Sequence, residues 1–318
     1  MNFEIDEQQR DFASSIDAAL GAANVPAAIR AWADGDTAPG RKVWSQLADL
    51  GVTALLVAEK FDGIEAQPID LVVALERLGY WAVPGPVTES IAVAPILLAD
   101  DERSTQLAAG ELIVTAALPP QVPYAVNADF AGLTLLAGDG QVAAAAAGAG
   151  HDSVDPTRTL FEVTASGDGQ AADTSRAYEF GVLATAAQLI GAGQAMLDLS
   201  VAYAKQRTQF GRVIGSYQAI KHKLADVHIA VEMARPLVHG AALALADGSP
   251  DTARDVSAAK VAAADAALLS ARSSLQTHGA IGFTQEHDLS LLLLRVQALR
   301  SAWGDPTLHR RRVLEALS

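Results

Sequence analysis

The sequence predicts a mainly α protein with a small β insert. A helical region occupies residues 1–110, a reduced sheet 111–172, and a four-helix bundle 173–318. Three observations carry this. Apolar residues recur at helical spacing in the first and last parts of the chain, while the middle breaks into short runs between Gly, Pro, Asn and Asp. Half of the 318 residues are apolar but only 5% are aromatic, enough hydrophobic matter for a buried core and too much for a disordered chain.

In chain order, residues 5–20 form a helix after a polar, acidic lead. A second helix, 42–50, stops at Gly51, where a C-terminal glycine belongs; a third, 69–78, stops at Gly79 in the same role. Pro84-Gly85-Pro86 marks a turn before the apolar stretch 90–98. Strands are expected at 113–118, 133–137, 141–146 and 159–164, although the polyalanine at 143–147 favours helix by propensity. Beyond residue 175, Ile220, Leu224, Val227, Val231, Ala234, Val238, Ala241 and Leu245 advance in steps of four and three along one face of a long helix. Pro236 is expected to kink or split it. Asp247-Gly248-Ser249-Pro250 forms a turn, and the next helix, 252–278, carries Ala and Ser that allow close approach.

Composition excludes several functions. With no cysteine there is no disulfide framework, thiolate nucleophile, Cys-ligated zinc or iron–sulfur cluster. A net charge of −14 argues against a general nucleic-acid binder, which needs a basic surface. The apolar stretch 182–204 is interrupted by Gln188, Gln194 and Asp198, so it reads as a buried helix rather than a membrane span. A cytoplasmic location follows as an expectation, since residues 1–10 lack a basic segment leading into an apolar one. His222 with Asp226, and His228 with Glu232, have i, i+4 spacing but point to different faces, so no metal site is expected. Gly191-Ala-Gly193 lacks the βαβ surroundings of a dinucleotide loop, and no Gly-x-Ser-x-Gly elbow exists for a serine hydrolase.

One segment departs from this acidic background. Residues 205–223 hold five cations (Lys205, Arg207, Arg212, Lys221 and Lys223) and no acid. The remaining 299 residues therefore sum to −19, that is −14 minus 5. This local reversal suits an anion, and Arg207 could grip a phosphate bidentately. The simpler reading, on charge alone, is cations complementing a helix C-terminus.

The same segment resembles the acyl-CoA dehydrogenase signature: Arg207-x-Gln209-Phe210-Gly211, then Gln218, then His222-x-Leu224-Ala225-Asp226. A second match, Gln276-Thr-His-Gly279-Ala280-Ile-Gly282-Phe283, is similar to that family's Gln-x-x-Gly-Gly-x-Gly-Phe stretch. The resemblance implies an FAD shared with a neighbouring subunit. Arg207 would hold its pyrophosphate, Gln209, Phe210 and Gln218 its adenosine or ribityl portion, and Gln276 with Gly279, Ala280 and Gly282 its adenine side. Glycines let backbone N–H groups approach such an anion closely. Taken alone, Gln276 and Gly279 read as a helix end and turn.

The catalytic parts of the family pattern are missing. Its carboxylate base falls in the stretch Ala302-Trp303-Gly304-Asp305-Pro306, where Trp303 matches the preceding aromatic and Gly304 the base. Asp305 is the adjacent candidate base, although Asp before Pro also suits a helix N-cap. Members that place the base on the first bundle helix would put it at Gly181, with Glu179 two residues away and Val182 where an acyl-CoA-binding Arg is often used. The middle region also lacks the family's Thr-Glu-Pro loop and its Trp/Thr strand. The resemblance thus implies a short subunit of a two-plus-two heterotetrameric dehydrogenase of steroid side chains. A longer partner would supply the base, the acyl-CoA pocket and the flavin-ring cradle, with an electron-transfer flavoprotein as acceptor. The alternatives are a self-sufficient flavoenzyme using Asp305 or Glu179, and an FAD-free structural subunit.

Overall fold

The computed structural model describes residues 5–318; the part of the polar lead at 1–4 lies outside the described residues. The N-terminal part is helical. α1 (Glu7–Ala22) opens with a reciprocal cap, in which Asp6 accepts from the Gln9 backbone N–H at 2.8 Å and Gln9 accepts from that of Asp6 at 3.0 Å. α2 (Val25–Ala33), which the periodicity does not reveal, has a proline in its first turn. α3 (Ala38–Asp49) ends as expected at Gly51, whose φ of 79° lets its N–H reach the Ala48 carbonyl at 2.8 Å.

Gly79 overturns the expectation made for it. α4 (Pro68–Tyr80) runs past it, and Gly79 is needed for contact instead: a Cβ there would sit 2.2 Å from the Gln188 carbonyl oxygen. After the Pro84-Gly85-Pro86 turn, a π-helical turn (Thr88–Val93) leads into α5 (Ala94–Leu97), followed by α6 (Arg103–Ala108).

The middle region forms β1 (Val114–Ala117), β2 (Ala125–Val126), β3 (Leu133–Gly138), β4 (Gln141–His151), β5 (Leu160–Ala165) and β6 (Gln170–Ala171). The strand order is β1-β3-β4-β5-β2, with β6 also on β4; β1 and β3 are parallel and the other pairs antiparallel. The polyalanine is strand, not helix. It is hydrogen-bonded to β3 on one side (Leu135 opposite Ala144) and to β5 on the other (Ala146 opposite Thr164), and this pairing overrides local propensity.

The C-terminal part begins with α7 (Thr174–Gln206), then a hairpin of β7 (Thr208–Gln209) and β8 (Arg212–Val213). α8 (Gln218–Ala246), α9 (Thr252–His278), α10 (Leu289–Ser301) and α11 (Pro306–Ala316) complete the chain. α7, α8, α9 and α10 pack as the bundle, and α4 lies against α7. Pro236 does not split α8, which continues through it with the proline on the exposed side, where a displaced carbonyl can turn to water. α7 and α8 are each long and apolar enough to cross a membrane, but the most apolar window of α7 is 94% buried within the protein. Gly191 belongs to the crossing of α7 with α4: a Cβ there would lie 1.8 Å from the Glu76 carbonyl oxygen. α10 is tied to the sheet region by Arg295, which donates to Asp155 at 2.5 Å, Thr157 at 2.9 Å and the Val83 carbonyl at 2.8 Å, all buried.

Candidate functional site

Two places in the bundle bear on function. The first is the end where α7 and α9 both terminate. Tyr203, one turn before the end of α7, stacks on His278, the last residue of α9, with ring centroids 4.4 Å apart. His287 packs edge-on against His278 at 4.9 Å. This contact brings the two motifs together, although they lie far apart in the chain. Arg207 caps α7 through its backbone N–H to the Tyr203 carbonyl at 2.8 Å, while its side chain is exposed and makes no ion pair among the described residues. Beside it the β7–β8 hairpin folds back, with Gly215 against the Ala204 carbonyl.

Gln209, Phe210, Gln218, Gln276, Gly279 and Ala280 are all exposed; Gly282 alone of this group is buried, wedged against His278 and Leu289. Gly279 leaves α9 at φ 68°, and a Cβ there would meet nothing within 4 Å, so its backbone faces open space. Burial lowers the His278 pKa. Its Nδ1 is bonded to the Ser274 carbonyl at 2.8 Å, and Nε2 is buried without a partner. Phe210 is 93% exposed and Phe283 75% exposed. Aromatic rings left in water suit a surface completed by another molecule. The donors fit a nucleotide pyrophosphate: the exposed Arg207 guanidinium and an open glycine backbone, with flat apolar rings exposed on the same surface.

The second place surrounds Trp303, in the loop between α10 and α11. Trp303 has φ 58° and Gly304 φ 95°, left-handed geometry that costs a bulky residue on the order of 1 kcal/mol or more. Buried groups hold it there. Its indole N–H donates to Glu89 at 3.0 Å, and its carbonyl accepts from His309 Nε2 at 2.9 Å and from the Tyr178 hydroxyl at 3.2 Å. Lys260, wholly buried on α9, donates to the carbonyls of Leu299 at 2.7 Å and Ala302 at 2.9 Å. Desolvation, followed by repulsion from Arg158 and Arg300, lowers the Lys260 pKa to about 7, and desolvation lowers that of His309 to about 4.

The indole lies directly on Gly181, where a Cβ would be 2.2 Å from the Trp303 ring. At Gly304 a Cβ would be 2.7 Å from His309 Nε2 and 2.8 Å from the Leu308 side chain. Both glycines at the expected base positions are therefore packed shut. Asp305 is the N-cap of α11, accepting from the Leu308 N–H at 2.7 Å. Glu179 is ion-paired with Arg312 beside a cleft of about 600 Å³ bounded by Tyr178 and Arg311; burial raises its pKa.

Of the predicted residues, the structure gathers Arg207, the hairpin carrying Gln209 and Phe210, and the Gln276–Gly282 segment at one bundle end. Asp305 and Glu179 lie elsewhere, around α11. The sequence does not reveal the partners of Trp303, which are Glu89, Tyr178 and His309, nor Lys260, which holds the adjoining Leu299 and Ala302 carbonyls. Their one sequence signal is a bulky aromatic followed by glycine immediately before the Asp-Pro cap. His228 and Glu232 do not act together; Glu232 pairs with Arg235 at 3.1 Å.

A long-helix bundle preceded by a sheet and a helical N-terminal region is the architecture of flavin-linked acyl dehydrogenases. The chain belongs to the acyl-CoA dehydrogenase family. Residues 6–102 match the family's N-terminal domain and residues 167–318 its C-terminal domain. It is 31% identical to acyl-CoA dehydrogenase IpdE2 of Mycobacterium tuberculosis, over 91% of this chain and 90% of that protein. The ChsE4–ChsE5 complex of the same organism shares the fold, with a TM-score of 0.86 and 21% identity over 100% of this chain and 99% of that one. So does the Tcur3481–Tcur3483 steroid acyl-CoA dehydrogenase, with a TM-score of 0.86 and 19% identity over 98% of both chains.

Proposed function

We propose that this chain is the non-catalytic subunit of a heteromeric, FAD-dependent acyl-CoA dehydrogenase. The observation that carries the reading is the closure of both base positions by Trp303 and its supports. Neither Gly181 nor Gly304 has room for a carboxylate, and Asp305 already accepts a backbone N–H as a helix cap. A base displaced by an ångström or more loses most of its effect. The partner subunit would provide the base, the acyl-CoA pocket and the flavin-ring cradle. Two structural neighbours, a two-component complex and a two-component steroid dehydrogenase, support a partner subunit and a steroid substrate; the assembly would be two-plus-two and cytoplasmic, acting on a steroid side-chain CoA ester. An electron-transfer flavoprotein would take the electrons.

FAD, when bound, supplies the hydride acceptor for α,β-dehydrogenation. The work of this chain is to hold the far end of that group. Arg207 would neutralise the pyrophosphate with a charge-assisted, bidentate contact. The Gly279–Gly282 backbone and Gln276 would position the adenine, and Phe210, Gln209 and Gln218 would cover the adenosine and ribityl portions. The open space at Gly279 and the exposure of Arg207 support these roles.

The test is co-expression with a longer acyl-CoA dehydrogenase of the same organism. The complex should carry flavin and oxidise an acyl-CoA, and Arg207→Ala should lower bound flavin at least ten-fold while the subunits stay associated. Flavin retained in Arg207→Ala, or acyl-CoA oxidation lost in Asp305→Asn with the helix cap intact, would overturn the assignment.

A further inference from the structure

At the end of the bundle where the two motifs meet, His278 closes α9 at only 5% exposure and bonds through Nδ1 to the Ser274 carbonyl at 2.8 Å. A carbonyl only accepts, so Nδ1 carries the proton and Nε2 the lone pair. Nε2 is buried and bonded to nothing among the described residues. An unbonded buried acceptor costs less than an unbonded buried cation. The ring is gripped from two sides, with Tyr203 of α7 stacked on it at 4.4 Å and His287 edge-on at 4.9 Å. His287 is itself fixed, since its Nδ1 accepts from the Leu289 N–H at 3.1 Å. Arg30 of α2 clasps the loop that carries it, donating to the Gln285 and Glu286 carbonyls at 3.2 Å and pairing with Asp288 at 2.8 Å.

None of these surroundings favours a charged ring. From α7 it is faced by Tyr203, with Lys205 and Arg207 as exposed cations at the same helix end. From the loop it is faced by His287, whose charge opposes a second one; Asp288 is taken by Arg30, and Glu286 is exposed. The next residue is Gly279, where the chain turns at φ 68° beside open space, and a Cβ at Gly282 would lie 2.9 Å from the His278 Cβ. The seat of one imidazole therefore sets the direction of the turn.

We propose that His278 is a positioning residue for the nucleotide end of FAD, holding the Gly279–Gly282 backbone in its receiving geometry only while the ring is uncharged. The inference rests on the flavin reading of this bundle end. Protonation puts an N–H on Nε2 with no acceptor; the ring then leaves Tyr203 for water and draws the turn with it. Burial lowers the His278 pKa below its ordinary 6.5, so the packed turn refuses a proton that a loosened turn accepts. Flavin affinity is flat above pH 7 and falls once the pH drops below the lowered value, by about ten-fold per pH unit for one proton.

Two measurements keep the inference separate from the reading beneath it. In the flavin-free full chain, the His278 imidazole resonance (identified by its loss in His278→Phe) should titrate with a midpoint below 6.5, and the Gly279 and Gly282 amide resonances should shift with that same midpoint. In His278→Phe, which keeps a flat ring but cannot take a charge, the two amides should not move there. Tyr203→Leu, which removes the stacking face, should raise the midpoint towards 6.5, and it serves if His278→Phe does not fold. In the complex with the longer subunit, the Kd for FAD, read by flavin fluorescence, should rise at least ten-fold from pH 7.5 to 5, and less than two-fold in His278→Phe. Glycine amides that ignore the His278 midpoint, a midpoint unmoved by Tyr203→Leu, or the same pH dependence of FAD binding in both complexes would overturn the inference. FAD affinity unchanged at every pH by Arg207→Ala would overturn the flavin reading and the inference with it, recognisable because the glycine amides would still follow His278.

Discussion

Around Trp303, two side chains are buried in their less charged forms, and this has a consequence for pH. His309 titrates near 6.5 in an unfolded chain but is lowered to about 4 here, by burial first. Between those values the unfolded chain binds a proton that the folded chain refuses, so stability falls as the pH drops from 6.5 towards 4, by about 3 kcal/mol in total. Lys260 is lowered from 10.5 to about 7, so by the same linkage its contribution makes stability rise as the pH is raised above 7. A neutral amine retains two N–H groups, enough for the Leu299 and Ala302 carbonyls, so deprotonation leaves the loop held. Urea unfolding across pH 4–9 should show both limbs. His309→Gln should flatten the acid limb and Lys260→Met the alkaline one; limbs unchanged in these variants would refute the assignments. None of this is legible in the sequence. Arg207 and Gln276 could be read because their motifs are contiguous, whereas the contact of Trp303 with Gly181 joins residues that only the fold brings together.

Among the elements, the α4–α7 crossing is set by two glycines, each against the backbone of the other helix. Gly79 meets Gln188, and Gly191 meets Glu76. Since backbone cannot swing aside as a side chain can, Gly191→Ala should destabilise the protein by about 1–3 kcal/mol, despite alanine's better helix propensity. A lowered urea midpoint with an unchanged slope would confirm this; a midpoint equal to or above that of the unaltered chain would contradict it. Periodicity located α8 and α9 because an amphipathic face repeats along each. It misplaced the role of Gly79, because a glycine at a helix end and one at a crossing look alike in one dimension. It also left the polyalanine ambiguous, since only the β3 and β5 partners decide its conformation. α2 escaped detection because nine residues offer too few turns for a pattern.

At the scale of the whole molecule, α8 presents a second apolar stripe opposite its buried one: Ala225, Ile229, Met233 and Leu237 at steps of four, with Met233 71% exposed. Such a stripe marks a contact surface, and Phe210 and Phe283 add apolar area on the bundle surface. Met233→Glu should leave the melting temperature of the isolated chain within about 1–2 °C, as a surface change does, while shifting the complex with its partner towards separate subunits by light scattering. An unaltered complex mass would place the interface elsewhere. The indole seated on Gly181 bears on the molecule's history as well as its folding. Restoring an acid at 181 demands, in the same step, a smaller residue at 303, and that change alone leaves a hole in the interior; an acid at 304 meets the side chains of His309 and Leu308 instead. The two positions are thus closed by different sets of side chains, so no single substitution places a carboxylate at either without displacing its neighbours.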